Sequence, residues 1–413
     1  MRKMIIAILV TVLAVPLAAQ QTLEEYTAEA LRNNEALQAR MARYEAARAQ
    51  EPQAAALPDL KVGFGWFAVP VETRVGPQRA TLSVSQSFPW FGTLGAEEDA
   101  AMARARRSYL DYTDARNRLV FDVRDTWYRM YVLERSVVLT GEHLRLVETL
   151  RDIALTRYEA GKTAFSDVLR LDMQREELRT KLHTLEDSRA PLRQEFSRLL
   201  GRDIREAILL PDSLALPDAL PEAEPLRARM VERNPRLRGL EEEQAYWEHK
   251  SNAARRMGYP SFTLGVTYTA IDPRDDVTLP DNGRDAIIPQ VGISVPLFGS
   301  RYGAMEEQAQ LQREAARLQR SDAERRLETL LAERMRDLRE ARRRFELNTR
   351  LAELADNTYG AVLSEYSAGS SRIDDVIAVE RDLLRYALAR EEACADLNRA
   401  HDYLMYLTAQ EME

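Results

Sequence analysis

Hydrophobic residues recur along this chain with two distinct periods, and the two alternate. From Ser261 to Ala270 the even positions Phe262, Leu264, Val266, Tyr268 and Ala270 are apolar, and the odd ones are small or polar. Strict alternation of this kind predicts a strand with two unlike faces. The same period runs through Val62, Phe64, Trp66 and Ala68, through Leu82, Val84 and Phe88, and through Val291, Ile293 and Val295. Within each half, the two runs are separated by a segment rich in Pro, Gly and charge, Pro70 to Arg79 or Asp272 to Arg284. Each half is therefore expected to hold one hairpin closed by a hydrophilic loop.

Outside these runs the period lengthens. From Ala96 to Ala160 there is no proline and one glycine, Gly141; from Ala304 to Ala368 the one glycine is Gly360. At about 1.5 Å per residue, each stretch predicts a helical rod of about 100 Å, too long for one compact domain. Heptad spacing appears at Val123, Met130, Val137 and Leu144, and again at Leu331, Leu338 and Phe345. A returning helix carries Leu171, Leu178, Leu185, Leu192 and Leu199, supported by Val168, Leu182 and Phe196. Such repeats specify helices packed side by side. Pro191 should kink this helix or mark an end-to-end junction. The segment before the leucines, Tyr158 to Val168, is not basic, which argues against a DNA-binding zipper.

The chain repeats itself once. Asn34-Glu35-Ala36-Leu37 is answered by Asn234-Pro235-Arg236-Leu237, and Leu57-Pro58-Asp59-Leu60 by Tyr259-Pro260-Ser261-Phe262. Phe88-Pro89-Trp90-Phe91-Gly92 pairs with Val295-Pro296-Leu297-Phe298-Gly299. Tyr158-Glu159-Ala160-Gly161 pairs with Tyr366-Ser367-Ala368-Gly369. The offsets of 200, 202, 207 and 208 drift slowly, as two copies of one plan would. The expected organisation is a first repeat over 20–200, with hairpin 60–88, long helix 94–160 and returning helix 163–200. A proline-rich linker follows at 201–225. The second repeat spans 226–413, with hairpin 261–297, long helix 303–368 and returning helix 371–408.

Composition narrows the classes. With 58 basic and 66 acidic residues the net charge is −8, which argues against nucleic acid as a partner. The single cysteine, Cys394, excludes an internal disulfide and a zinc cluster. A mean hydropathy of −0.42 argues against a bundle of membrane helices. Arg2 and Lys3, an apolar run from Met4 to Val15 and the small residues before Gln20 have the order of a secretory signal peptide over 1–19, the alternative being a retained anchor. The residue directly after the expected cleavage point is Gln20 and not cysteine, so no lipidated N-terminus is expected. No later apolar run reaches the roughly 18 residues of a membrane helix, so any membrane crossing would use strands closed into a barrel.

Runs that are apolar on one face and rich in Ser, Thr, Gly and Gln on the other suit a barrel wall with a wet lumen. A one-sided hairpin packed on soluble helices has the same alternation. Four strands cannot close a barrel alone, and two, three or four copies would supply eight, twelve or sixteen.

An N-terminal leader, two halves each built as helix, hairpin, long helix and returning helix, and a repeated Gly-x(5)-Asp-Val-(Leu/Ile) after a Tyr-containing helix end together resemble the TolC family of outer-membrane efflux proteins. The resemblance covers about Leu23 to Thr408. It implies a mainly α protein with membrane β structure. Each chain would give four strands to a trimeric 12-stranded barrel in outer-membrane lipid, above a coiled-coil tunnel in the periplasm. It further implies a homotrimer working with a periplasmic adaptor and an inner-membrane efflux pump, and no cofactor.

By the same resemblance, the turns at Gly161–Asp167 and Gly369–Asp375 form the periplasmic entrance. Asp375 falls on the family's entrance carboxylate, Asp167 on its counterpart in the first repeat, and Tyr366 on a tyrosine that helps hold the tips closed, with Tyr158 its repeat mate. Ser371 stands where many relatives carry arginine and Ala378 where they carry a further carboxylate, which leaves Arg372 or Asp374 as substitutes. A ring of carboxylates in a narrow opening favours cations. The alternative role of these aspartates is helix capping, and the two roles are compatible. Trp66, Phe67, Trp90 and Phe91 are candidates for interface aromatics, with packing against a helix as the alternative. The segment Phe88–Gly92 also looks like the strand exit of the family's heavy-metal branch.

Enzyme motifs are lacking: there is no Gly-x-Ser-x-Gly and no P-loop, and His143, His183, His249 and His401 lie far apart. The twelve methionines show no paired pattern that would suit copper. Arg342-Arg343-Arg344 reads as a solvated helix face, with adaptor contact as the alternative. The competing class is a periplasmic coiled-coil scaffold with no lipid-embedded barrel. Within the channel class, a duct for secreted proteins is the second option.

Overall fold

The computed structural model describes residues 22–203, 208, 210–217, 220–276 and 278–410. The signal-peptide reading of 1–19 and parts of the linker lie outside them. Three short helices, α1 (Leu23–Asn33), α2 (Glu35–Arg48) and α3 (Glu51–Ala55), lead into strands β1 (Lys61–Thr73) and β2 (Gly76–Phe88). Helix α4 (Thr93–Glu159) then runs 67 residues, and α5 (Phe165–Asp187) and α6 (Arg189–Leu200) return along it. The second half repeats the order with α7 (Ala223–Arg233), α8 (Pro235–Met257), β3 (Ser261–Ile271), β4 (Ala286–Ser294), the 69-residue α9 (Ser300–Ala368) and α10 (Ile373–Leu407). Among the described residues no helix is long and apolar enough to cross a membrane.

The four strands form one antiparallel sheet in the order β1-β2-β3-β4, so the two hairpins join through β2 and β3. Register turns the sequence alternation into rows. Phe64, Leu82, Tyr268 and Ile287 lie side by side, as do Val62, Val84, Val266 and Pro289. The row between them, on the other face, is Gly63, Ser83, Thr267 and Ile288, and the next row on that face is Lys61, Ser85, Gly265 and Gln290. One face is thus apolar and the other mostly small and polar, with Ile288 of β4 as an exception. The apolar face is open to its surroundings, with Phe64 at 75% and Val291 at 75% exposure. Pro70 and Pro289 sit on the two edge strands, where a missing N–H is tolerated.

The expected loop at Pro70–Arg79 is not a loop. β1 and β2 run through it and meet in a tight turn at Arg74–Val75. Charge and proline suggested a loop, but the extra residues are absorbed as a bulge: the register slips between the pairs Trp66–Ala80 and Val71–Gln78. Gly76 ends the turn at φ +132°, and a Cβ there would strike the Asp272 carbonyl. The loop after β3 is stitched to this turn, with Asp272 N–H donating to the Pro77 carbonyl and Gly283 N–H to the Val75 carbonyl.

The returning helix of the first repeat is broken between Asp187 and Arg189, just ahead of Pro191. Proline in the first turn of α6 needs no helical N–H partner, so a junction forms there instead of a kink.

Apolar side chains gather in three clusters along the rods. Tyr26, Leu37, Val123, Trp127, Phe196 and Leu200 unite α1, α2, α4 and α6. Met230, Leu237, Leu331, Leu338, Leu397 and Leu404 do the same for α7 to α10. A third cluster, including Leu150, Leu171, Tyr366, Ile373 and Val376, ties α4 and α5 to α9 and α10 near the ends away from the sheet. Polar bonds join the repeats between these clusters. Arg124 Nε donates to Asp402 at 2.7 Å and Tyr128 OH to the same carboxylate at 3.1 Å, all three groups being buried. Tyr131 OH donates to buried Glu391 at 2.6 Å.

Candidate functional site

The ends of the helical hairpins bring together most of the candidate entrance residues. Both long helices terminate in the same motif. Lys162 N–H returns to the Arg157 carbonyl and Gly161 N–H to the Tyr158 carbonyl; Ser370 and Gly369 repeat this to Glu365 and Tyr366. The glycines take φ +69° and +84°, the left-handed closure that favours glycine. The repeated Gly in the sequence motif is therefore a stop signal that turns each chain back on itself.

Beyond the turns the two tips differ. Asp167 accepts a hydrogen bond from the Thr163 hydroxyl. Asp375 accepts from Arg372 N–H at 3.2 Å and from Ser371 Oγ at 3.3 Å, so it caps the start of α10. Asp374 is the carboxylate that links the two tips, paired with Arg170 of α5 and with Arg372 at 2.7 Å. Arg372 is otherwise exposed.

Tyr366 is 2% exposed, and its hydroxyl is buried without a hydrogen-bond partner. The Arg157 guanidinium stands 4.8 Å from the ring centroid and donates to the Ser367 carbonyl at 2.9 Å, which binds the end of α4 to the end of α9. Burial pushes the Tyr366 phenol above its ordinary pKa, with Arg157 opposing that shift. Tyr158, its repeat mate, is instead 43% exposed and leans on Phe165 at 5.2 Å. The second repeat thus buries its tyrosine where the first leaves it outside.

Sequence reading missed Arg157 and Arg170, which bridge the tips, and a buried pair one level deeper. His143 Nδ1 lies 2.8 Å from Glu380, which is fully buried; Gln174 reaches the same carboxylate at 3.3 Å, and Arg381 bonds Gln174 at 2.6 Å. The available signal was the stripe Thr140, His143, Val147, Leu150, Ala154, in which two polar residues occupy buried helical positions.

At the other end of the rods, Trp66 is 74% exposed in mid-strand, and Phe67 opens the irregular stretch of β1. Trp90 lies just past β2, with ring centroids 5.3 Å from Tyr259 and 6.0 Å from Phe262, while Phe91 is 76% exposed. Trp90 therefore packs on the base of the sheet. Among the described residues no group of three or more His, Cys, Asp or Glu is placed to hold a metal ion.

A four-stranded sheet with one apolar face, set on two rods of nearly equal length, can now be compared with known proteins. Residues 27–202, essentially the whole first repeat, match the family model described as Outer membrane efflux protein. The second repeat has the same element order. Over its first repeat, then, the chain is similar to the outer membrane efflux proteins. No curated protein matches this chain. Its fold is shared by the outer-membrane channel OprN, with 19% identity, a TM-score of 0.79 and coverage of 94% of this chain and 90% of that one. It is shared also by the outer membrane protein VceC from Vibrio cholerae, with 17% identity, a TM-score of 0.76 and coverage of 95% and 97%. CusC matches at 16% identity and a TM-score of 0.78, covering 95% and 93%. At these identities the likeness to the solved structures is one of fold.

Proposed function

We propose that this protein is an outer membrane efflux protein, three copies of which form a channel, each giving its four strands to a shared twelve-stranded barrel and its rods to a tunnel in the periplasm. The observation that carries this reading is the sheet. Its apolar face is exposed across all four strands, and β1 and β4 are both left with an unpaired edge. A sheet edge is not tolerated in lipid, so closure with further copies satisfies both features at once. Each repeat, 20–200 and 226–413, contributes one β-hairpin and one helical hairpin on either side of the linker at 201–225.

In this reading substrates enter at the hairpin tips, delivered by an inner-membrane pump through a periplasmic adaptor. Tyr158, Asp167, Tyr366, Arg372, Asp374 and Asp375 line or brace that entrance, with Asp374 the bridge between tips and Asp375 both cap and lining charge. Trp66, Phe67, Trp90 and Phe91 lie toward the membrane interfaces. Assignment to the heavy-metal branch rests on the Phe88–Gly92 segment, and metal would be cargo in transit. Deleting the gene and measuring tolerance to copper, silver and drugs separates these cargoes.

The channel reading is tested by fractionation and mass. The protein should stay with outer membranes through salt and carbonate washes. Light scattering with the detergent contribution subtracted should then give three copies of the mature chain. Release without detergent as a monomer would leave the periplasmic scaffold as the better account.

A further inference from the structure

At the junction between sheet and rods lies a pocket of about 380 Å³. Its walls include Ser87, Ser261 and Ser294 from the strand ends, Arg256 from the end of α8, and Thr93 and Arg301 from the first turns of α4 and α9. Among the described residues no carboxylate lines it. The two longest helices of the molecule thus begin at this pocket. Neither has a side-chain cap or an acidic residue in its first turn. Helix N-termini carry partial positive charge and unsatisfied N–H groups, which acidic first-turn residues ordinarily offset.

Three side chains add to that bias. Thr93 is 4% exposed, and its hydroxyl has no hydrogen-bond partner. Arg301 has no carboxylate within ion-pair distance among the described residues and leans on the Tyr302 ring, 5.8 Å away. Arg256 likewise lacks a carboxylate and donates to the Phe91 carbonyl at 2.9 Å. The bases around them are neutralised: Arg255 pairs with Glu306 at 2.9 Å and Lys250 with Glu97 at 2.8 Å. Bracing the start of α4 accounts for Arg256, but it leaves Arg301 and the Thr93 hydroxyl unexplained.

We propose that this pocket binds a phosphate-class anion, held by the Arg256 and Arg301 guanidiniums and the Thr93 hydroxyl at the paired helix N-termini. Two guanidiniums, hydroxyl donors and helix N-termini form a donor set suited to a tetrahedral oxyanion. The chemistry fits two sources. One is the phosphodiester headgroup of an anionic phospholipid, because the pocket sits where the strands end; this source rests on the channel reading, which puts that level at the headgroups of the inner leaflet. The other is a soluble phosphate, and it does not depend on that reading.

The test uses the full-length protein purified in a maltoside detergent free of phosphate. Binding is measured by titration calorimetry with inorganic phosphate, and by native mass spectrometry with phosphatidylglycerol, with diacylglycerol as the phosphate-free control. At least one phosphate-bearing probe should bind saturably, and Arg256→Gln, Arg301→Gln and Thr93→Val should each weaken it, the arginine changes by about tenfold. Phosphatidylglycerol binding identifies the lipid source, and phosphate binding alone the soluble one. Failure of both probes, equal binding by the variants, or equal binding of diacylglycerol overturns the proposal. Should Arg256→Gln disturb the start of α4, Arg301→Gln keeps the test decisive, since among the described residues that guanidinium makes no hydrogen bond or ion pair. If the protein proves soluble without detergent, the channel reading falls while the phosphate titration still decides the site.

Discussion

Asn34 and Asn234 each hold two helices at once. The Asn34 carbonyl oxygen caps α2 through Leu37 N–H at 3.0 Å, while its amide donates to the Leu199 carbonyl at the end of α6, 2.9 Å away. Asn234 does the same for α8 and α10, through Arg236 N–H at 3.0 Å and the Leu407 carbonyl at 2.9 Å. Both are buried, so truncation removes a cap and leaves a carbonyl unpaired. Asn34→Ala and Asn234→Ala are each expected to destabilise the fold by about 1–3 kcal/mol, read as a lower midpoint in thermal loss of helical circular dichroism. If the tips form a channel entrance, as proposed, Asp375→Ala should reduce cation preference and divalent block roughly severalfold in single-channel recordings; unchanged selectivity would leave Asp375 as a cap only. The sequence made Asn34 and Asn234 visible as a repeat but not their task, because the carbonyls they bind lie 165 and 173 residues away. His143 and Glu380 stayed hidden for the same reason, since only the packing of α4 on α10 makes them neighbours. Of the entrance candidates, the glycine stops and the Asp375 cap follow from local backbone chemistry, whereas the partners of Asp374 and Tyr366 come from the opposite hairpin.

Among the elements, strands were legible wherever alternation was uninterrupted, as in Ser261–Ile271, whose period of two survives as the two sheet faces. Alternation fails in β1 beyond Trp66, and there proline and charge were read as a loop although the backbone remains paired. What distinguishes the two is Gly76, whose left-handed backbone closes a two-residue turn. Gly76→Ala would place a methyl group against the Asp272 carbonyl and unfasten the loop after β3 from the first hairpin. Faster tryptic cleavage at Arg274 or Arg284 is the expected result, and an unchanged digestion rate would show that the loop is held by other bonds. The helical hairpins offer a second element-level test. Arg157 and Arg170 reach across from α4 and α5 to Ser367 and Asp374, so Arg157→Ala combined with Arg170→Ala should loosen the tips and raise mean conductance severalfold in planar bilayers. Conductance equal to that of the unaltered protein would place the constriction elsewhere.

For the molecule as a whole, the repeat explains why two rods of 67 and 69 residues end level with each other at the tips and at the sheet. Similar lengths let equivalent polar clamps and apolar clusters form at equivalent heights, and the third cluster joins the halves at the tips. The two unpaired strand edges have a kinetic consequence. A lone protomer entering a bilayer would carry β1 and β4 into hydrocarbon with a row of unsatisfied N–H and C=O groups on each side, at several kcal/mol apiece. In the channel reading, insertion therefore cannot precede association. The rate of incorporation into liposomes should rise more steeply than linearly with protein concentration, approaching third order when dilute, and should show a lag that pre-formed trimers abolish. First-order incorporation would mean that one chain can satisfy its own edges. If each chain supplies a third of a wall, as proposed, assembly is the committed step of biogenesis, and a shortage of chains would stall it before the membrane is breached.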